Sequence, residues 1–374
     1  MNVLELSGLA LRLTRPGAPD HQLKPWDAAD EQLIEAATSA IVQGQRVLVI
    51  DDNFGALTLG LGAFRPDVLT DSALAHGAIV DNAAANQQPS VNVFSWLNPP
   101  QGDYDLAVMR IPRQVAYLSH ILRWLNTVLS PQGTLIAGGM VKHLPARSAE
   151  VFGDLVNPGQ VYPARKKSRV VSCRPGTCGL EDWPDLWRGY PLPDSDFVIE
   201  SLPAVFARDH LDIGTRLLVP HVCQSASDLP EGARVLDLAC GNGVLGLAAL
   251  TANPALDMTF TDVSSQAIAS VTRLLGENAL SDNTHLHFAD GIPTEAGLFD
   301  LILFNPPFHE GGVVGDQIAL RLFEQASRHL KPGGKLLIVG NRHLGYHRSL
   351  RRFFPLVNQL DANPKFVVLT ASTR

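Results

Sequence analysis

Two stretches of this chain hold residue types and spacings that can do chemistry. Asn305-Pro306-Pro307-Phe308 follows the apolar run Leu301-Ile302-Leu303-Phe304. An amide, two rigid prolines and an aromatic ring thus stand where a buried strand would end, and open α/β sheets bind ligands at the carboxyl ends of their strands. The side-chain oxygen of Asn305 and the carbonyl of Pro306 can accept hydrogen bonds, and the prolines fix the backbone so that both acceptors converge. That pair suits a planar exocyclic amine. Its lone pair is delocalised into a ring, and acceptors aimed at its protons favour the sp3-like transition state of methyl transfer. Phe308 can stack on a base, worth about 1–3 kcal/mol. No strong general base is required, because the product loses its proton easily. Pro307 and His309 would shape the base pocket, with Glu310 beside them, and Gly311-Gly312 suggests a loop that closes over substrate.

The second stretch is Asp237-Leu238-Ala239-Cys240-Gly241-Asn242-Gly243, again after an apolar strand. Gly241 and Gly243 let a ligand approach the backbone because no Cβ intervenes. A glycine turn by itself reads equally as a dinucleotide site or a tight strand–helix turn. Two features turn it toward S-adenosylmethionine. Asp237 inside the turn would repel a pyrophosphate but hold the ammonium of a methionine moiety. Asp262 ends the next strand about twenty residues on, where a carboxylate accepts from both ribose hydroxyls. Asp290 closes a third strand and would sit near the adenine. A lone Asp in such a place is often a helix cap, but three at successive strand ends make a site.

Strands must deliver these residues side by side, and the chain supplies such strands twice. The first series has strands at 46–50, 67–71, 91–96, 104–110 and 134–137, with helices near 28–42, 72–83 and 114–129. Asp27 is positioned to cap the first helix. The second series has strands at 234–238, 258–262, 285–288, 299–304, 335–339 and 365–369, with helices at 241–250, 264–277 and 315–330. The stretch 151–200 breaks the rhythm with repeated prolines and a basic run, Arg165-Lys166-Lys167-Ser168-Arg169. It reads as an added strand or hairpin and then a linker. The expected fold is α/β, two tandem doubly wound parallel-sheet domains of Rossmann-like type, with residues 1–195 a degenerate copy and 196–374 the catalytic domain. Arg46-Val47-Leu48 lies over Arg234-Val235-Leu236, and Tyr104-Asp105-Leu106 over Phe299-Asp300-Leu301. Ser130-Pro131-Gln132-Gly133 lies over Lys331-Pro332-Gly333-Gly334. The chemistry is not repeated: Val49 faces Asp237, Asn53 faces Gly241 and Arg110 faces Asn305. A cation at Arg110 cannot accept from an amine but can hold a phosphate. Arg342, Arg348, Arg351 and Arg352 read as a phosphate grip or a solvated helix face.

The chain has 374 residues, 45% hydrophobic and 18% charged, which fits two globular domains. Its net charge of −7 argues weakly against a nonspecific nucleic-acid coat and leaves a local basic surface open. No run of about eighteen apolar residues would span a membrane, and the N-terminus lacks a signal pattern. Cys173 and Cys178 are spaced C-x4-C with no second pair for zinc, so no metal is expected. All four cysteines read as reduced thiols of a cytoplasmic protein.

The turn at 237–243, Asn305-Pro306-Pro307-Phe308-His309 and Asn341-Arg342-His343-Leu344 resemble the bacterial ribosomal RNA guanine-N2 methyltransferases. Val205-Phe206-Ala207-Arg208-Asp209-His210-Leu211-Asp212-Ile213-Gly214 is similar to their cofactor-lid segment. Of the two branches, small-subunit methyltransferase C and large-subunit methyltransferase G, Leu23-Lys24-Pro25-Trp26-Asp27-Ala28-Ala29-Asp30 and Lys365-Phe366-Val367-Val368-Leu369 look like the G branch. The resemblance covers nearly the whole chain. It implies methylation of a guanine N2 in 23S rRNA with S-adenosylmethionine, by a monomer acting on protein-free or early-assembly RNA. It also implies that Gly214 touches the cofactor and that the N-terminal copy is inactive. Ala239 stands where the family carries glycine, which bears on cofactor affinity. Competing readings are methylation of a 16S guanine, a DNA adenine or a protein glutamine, and a non-catalytic RNA-binding assembly factor.

Overall fold

The computed structural model describes residues 2–6, 8–17, 23–193, 195–280, 282–307 and 317–373. The chain divides into two compact units, Met1–Leu186 and Trp187–Arg374.

The first unit opens on the antiparallel hairpin of β1 (Asn2–Leu6) and β2 (Leu9–Leu13). There follow α1 (Ala28–Ala40), β3 (Val47–Ile50), α2 (Ala56–Gly60), β4 (Asp67–Leu69), α3 (Ala73–Ala85), β5 (Val93–Phe94) and β6 (Tyr104–Arg110). The unit closes with α4 (Val115–Val128), β7 (Leu129–Met140), α5 (Ser148–Leu155), β8 (Asn157–Val161) and β9 (Ser168–Arg174). Its sheet runs β5-β4-β3-β6-β7-β9-β8.

The second unit begins with the hairpin β10 (Arg188–Pro191) and β11 (Val198–Ser201), then α6 (Ile213–Ser227) and β12 (Arg234–Leu238). Next come α7 (Val244–Ala252), β13 (Asp257–Asp262), α8 (Ser265–Glu277), β14 (Thr284–Phe288), β15 (Phe299–Phe304) and α9 (Gln317–His329). It ends with β16 (Leu330–Asn341), α10 (Tyr346–Leu350), β17 (Leu356–Ala362) and β18 (Phe366–Ser372). The sheet order, β14-β13-β12-β15-β16-β18-β17, repeats that of the first unit. In both units the first five strands in this order are parallel, the sixth runs antiparallel to them and the seventh antiparallel to the sixth, so each sheet is mixed rather than parallel throughout.

The repetition extends to single side chains. The Arg46 N–H donates to Asp105 Oδ2 at 2.9 Å, and its guanidinium lies 4.4 Å above the Tyr104 ring. The Arg234 N–H donates to Asp300 Oδ2 at 2.8 Å, and its guanidinium lies 4.9 Å above Phe299. A Cβ on Gly133 would stand 3.0 Å from the Tyr104 carbonyl, and one on Gly334 2.9 Å from that of Phe299. The same close approach enforces the same residue in both copies.

The central strands are apolar on both faces because helices cover both. Val235, Leu301, Leu303, Leu337 and Val339 pack with Leu218 and Val222 of α6 and Leu245 of α7. Leu236, Ile302, Phe304, Leu336 and Ile338 pack on the opposite face with Leu322 and Phe323 of α9. The hairpin β10–β11 straddles residue 195, so the chain divides earlier than the proline-rich composition implied. The α6 helix was not legible, because Pro220 lies inside it. The expected turn at 130–133 is an irregular opening of β7, with a register shift between Tyr104 and Leu106 on its neighbour.

Candidate active site

The glycine turn joins β12 to α7. Asp237, at the end of β12, is 1% exposed, and its Oδ2 accepts from the Gly246 N–H at 2.9 Å. Burial lifts its pKa well above the carboxylate range; the Gly246 N–H pulls it down and the Asp262 charge pushes it up. Asp262 accepts at both oxygens, from the Gly241 N–H and the Ser264 N–H, each at 2.8 Å. Its pKa is raised by burial, against the pull of those N–H groups. Each oxygen keeps a further lone pair for a ligand hydroxyl. Ala239, Gly241 and Gly243 all have positive φ, at 55°, 54° and 78°. A Cβ on Gly241 would meet no atom within 4 Å, which leaves the approach to the backbone open. Ala239 adopts the left-handed conformation that glycine takes freely and an L residue takes at about 1–2 kcal/mol.

Asn242 fastens the turn to its surroundings. Its Nδ2 donates to Tyr190 Oη at 3.1 Å and to the Ala207 carbonyl at 3.3 Å, which ties in the hairpin β10–β11 and the 205–214 segment. The residue just before that segment is anchored on α8, where Gln266 accepts from the Ala204 N–H at 2.8 Å.

Asn305 follows the last residue of β15. Its Nδ2 donates to Thr215 Oγ1 at 2.9 Å and to Asp212 Oδ2 at 3.4 Å. Asp212 is the N-cap of α6 and accepts from the Thr215 N–H at 2.9 Å. The donor end of the amide is therefore fixed. Its Oδ1 is buried and accepts nothing among the described residues. Pro306 is buried and Pro307 exposed. Phe308 and His309, with Glu310 and Gly311-Gly312, lie outside the described residues. Thr215 and Asp212 were not singled out from the sequence as partners of Asn305; an Asp three residues before a Thr, opening a helix, is the signal that marks them.

The remaining positions fall around this core. Gly214, in the first turn of α6, backs the site: a Cβ there would stand 3.0 Å from Asp212 Oδ2 and 3.2 Å from the Phe366 ring. Asp290 is engaged by α9, with Oδ1 accepting from Arg321 at 2.6 Å. Arg342 is exposed just past β16, and one guanidinium N–H donates to the Asn363 carbonyl at 3.2 Å. Arg348, Arg351 and Arg352 are exposed as well.

The first unit repeats the slot around Asn305 with different chemistry. Asp27 caps α1, with Asp30 completing a capping box. Arg110, at the end of β6, donates to both Asp27 oxygens at 2.8 and 2.9 Å and to Asp30 Oδ1 at 2.6 Å. Arg110 therefore does not hold a phosphate, as its charge had suggested: two carboxylates saturate it, and its side chain is 15% exposed. Burial by itself would lower the guanidinium pKa, but the charges of Asp30 and Asp27 outweigh it and raise it. The corresponding turn of the first unit also carries different residues. Asp51 takes the left-handed place of Ala239, with φ 56°. Asp52 folds inward to accept from the Gly55 N–H at 3.1 Å and from both donors of Thr58 at 2.8 Å.

Residues 1–177 match the family described as RLMG N-terminal domain, and residues 196–370 match the methyltransferase small domain. Proteins named Ribosomal RNA large subunit methyltransferase G align along nearly the whole chain. The one from Yersinia pestis (strain Pestoides F) is 35% identical over 99% of this chain and 94% of its own. The one from Ectopseudomonas mendocina (strain ymp) is 38% identical over 96% of each. The chain belongs to the ribosomal RNA large subunit methyltransferase G family. Its fold is shared with a solved T. thermophilus 16S rRNA N2 methyltransferase in complex with AdoMet and guanosine, at a TM-score of 0.79 and 24% identity over 100% of this chain and 98% of that one. Within this family frame the second unit is the methyltransferase domain and the first its altered copy.

Proposed function

We propose that this chain methylates the exocyclic N2 amine of one guanine in 23S rRNA, using S-adenosylmethionine. The observation that carries the reading is the buried, unpaired Oδ1 of Asn305, held by Thr215 and Asp212 at a strand end beside the open glycine turn. The names of the G-branch relatives supply the large-subunit RNA.

S-adenosylmethionine fits the turn: Gly241 leaves its backbone open, and Asp262 retains lone pairs for ribose hydroxyls. A bound sulfonium would supply an electrophilic methyl group. Asn305 Oδ1 accepts a hydrogen bond from one N–H of the amine and the Pro306 carbonyl from the other. Both bonds strengthen as the nitrogen loses its conjugation, so they stabilise the transition state more than the ground state. The proton leaves to water after transfer. In this reading Phe308, His309 and Pro307 are assigned to the base, and Asp290 and Gly214 to the cofactor. The reaction belongs in the cytoplasm, on protein-free RNA or an early assembly intermediate, with a monomer as the active species. Among the described residues no helix is long and apolar enough to cross a membrane.

Tritium transfer from labelled cofactor to protein-free 23S rRNA tests the reading; absence of label in a guanine nucleotide sinks it. Asn305→Ala should lower kcat by about 100-fold or more while cofactor binding, read by calorimetry, stays within twofold. Retained turnover removes Asn305 from the acceptor role.

A further inference from the structure

A second carboxamide shares the situation of Asn305 and is left unused by the reaction described above. Asn341 ends β16, the strand next to β15. The pairing of Phe304 with Ile338 puts Leu337, Val339 and Asn341 on one face of the sheet, together with Leu301, Leu303 and Asn305. Leu301, Leu303, Leu337 and Val339 pack with α6, so both amides project to the α6 side at the carboxyl edge. Asn341 lies two residues beyond the level of Asn305 on the adjacent strand, which sets their Cα atoms about 8 Å apart. The Oδ1 atoms of Asn305 and Asn341 are both buried without a hydrogen-bond partner, and no other carboxamide oxygen among the described residues is in that condition.

Two neighbouring buried acceptors without donors mark a ligand edge that carries two donors. Resting on the guanine reading above, we propose that Asn341 Oδ1 accepts the ring N1–H of the target guanine while Asn305 holds the neighbouring N2 amine, which makes Asn341 a specificity-determining residue. Guanine is the base whose Watson–Crick edge sets a ring N–H beside an exocyclic amine at C2. A flipped base is read through that edge. Adenine presents a lone pair at N1, which would face the Asn341 oxygen and be repelled.

The test uses a 23S rRNA fragment whose methylated guanine has been mapped with the wild-type protein. A second copy of the fragment carries 2-aminopurine at that position; this base keeps the amine and replaces the N1–H by a lone pair. Wild type should prefer guanine by about 100-fold in kcat/KM. Asn341→Ala should lose about 30-fold on guanine and change by less than about threefold on 2-aminopurine, with cofactor affinity and Tm unaltered. Asn341→Leu, close in volume, should behave the same way. An equal fall on both bases, or no fall on guanine, overturns the assignment of Asn341. Failure of wild type to label any guanine overturns the function reading and this inference with it.

Discussion

Asp51 and Ala239 occupy one structural position, the first residue past the leading strand of each sheet, with φ of 56° and 55°. In the second unit that residue borders the glycine turn; in the first it is a carboxylate whose Oδ1 accepts from Tyr117 Oη at 3.0 Å. Burial and the Asp71 charge push Asp51 up to about 7, partly opposed by the Tyr117 hydroxyl. A folded-state pKa raised above the unfolded value means stability that is present at low pH and lost as pH rises through the folded pKa. The loss from Asp51 should therefore develop between about pH 4 and pH 7. Asn tolerates left-handed φ and keeps an acceptor for Tyr117. Asp51→Asn should raise stability at pH 8 by about 1–2 kcal/mol, a figure discounted for the partial exposure of the site, and leave it unchanged at pH 4. A Tm gain of equal size at both pH values would contradict this account.

At the scale of elements, the recurring unit is a strand end tied to the N-terminus of the helix that precedes the sheet. In the second unit an amide binds the cap Asp212 and Thr215; in the first a guanidinium binds the cap Asp27 and Asp30. One geometry thus serves as an aimed acceptor or as a buried ion cluster, according to three side chains. Removing the cation of such a cluster leaves carboxylates buried without a partner. Arg110→Met should cost about 3–5 kcal/mol in urea unfolding. Adding Asp30→Asn should restore part of it, since burial already lifts Asp30 to about 6. A loss below about 1 kcal/mol would show that Arg110 is not the keystone of the slot.

At the scale of the molecule, two copies of one topology have diverged in the residues of their turns and strand ends. We propose that the first unit orients RNA, but through other residues than Arg110. Arg165 and Lys166 are taken by Glu35 and Glu31. Lys142, Lys167 and Arg113 are exposed, and they share the carboxyl edge of the first sheet: the Lys167 carbonyl accepts from the Val141 N–H at 2.9 Å. Arg113 and Lys142 are also close enough to His143 that their charges, after burial, lower its pKa. Changing all three to Ala should weaken RNA binding and reduce the slope of log affinity against log salt by about 2 to 3, with kcat on bound RNA unaltered. An unchanged slope would place RNA elsewhere.

The sequence by itself determined the doubling, the strands and the stretch bearing the chemistry, because each rests on local signals. Apolar strands alternate with amphipathic helices, glycines mark positive φ, and Asn-Pro-Pro follows a strand. The family resemblance rested on those same motifs. Only the tertiary structure decided what each polar group has left to offer. Arg110 reads as a free cation until α1 brings Asp27 and Asp30 against it, eighty residues away in the chain. Asn305 reads from the sequence as an acceptor, but only the pairing of β15 with β16 sets Asn341 on the same face with both oxygens unpaired. Whether a donor or acceptor is spent or free depends on partners distant in sequence, and only the packed chain specifies those partners.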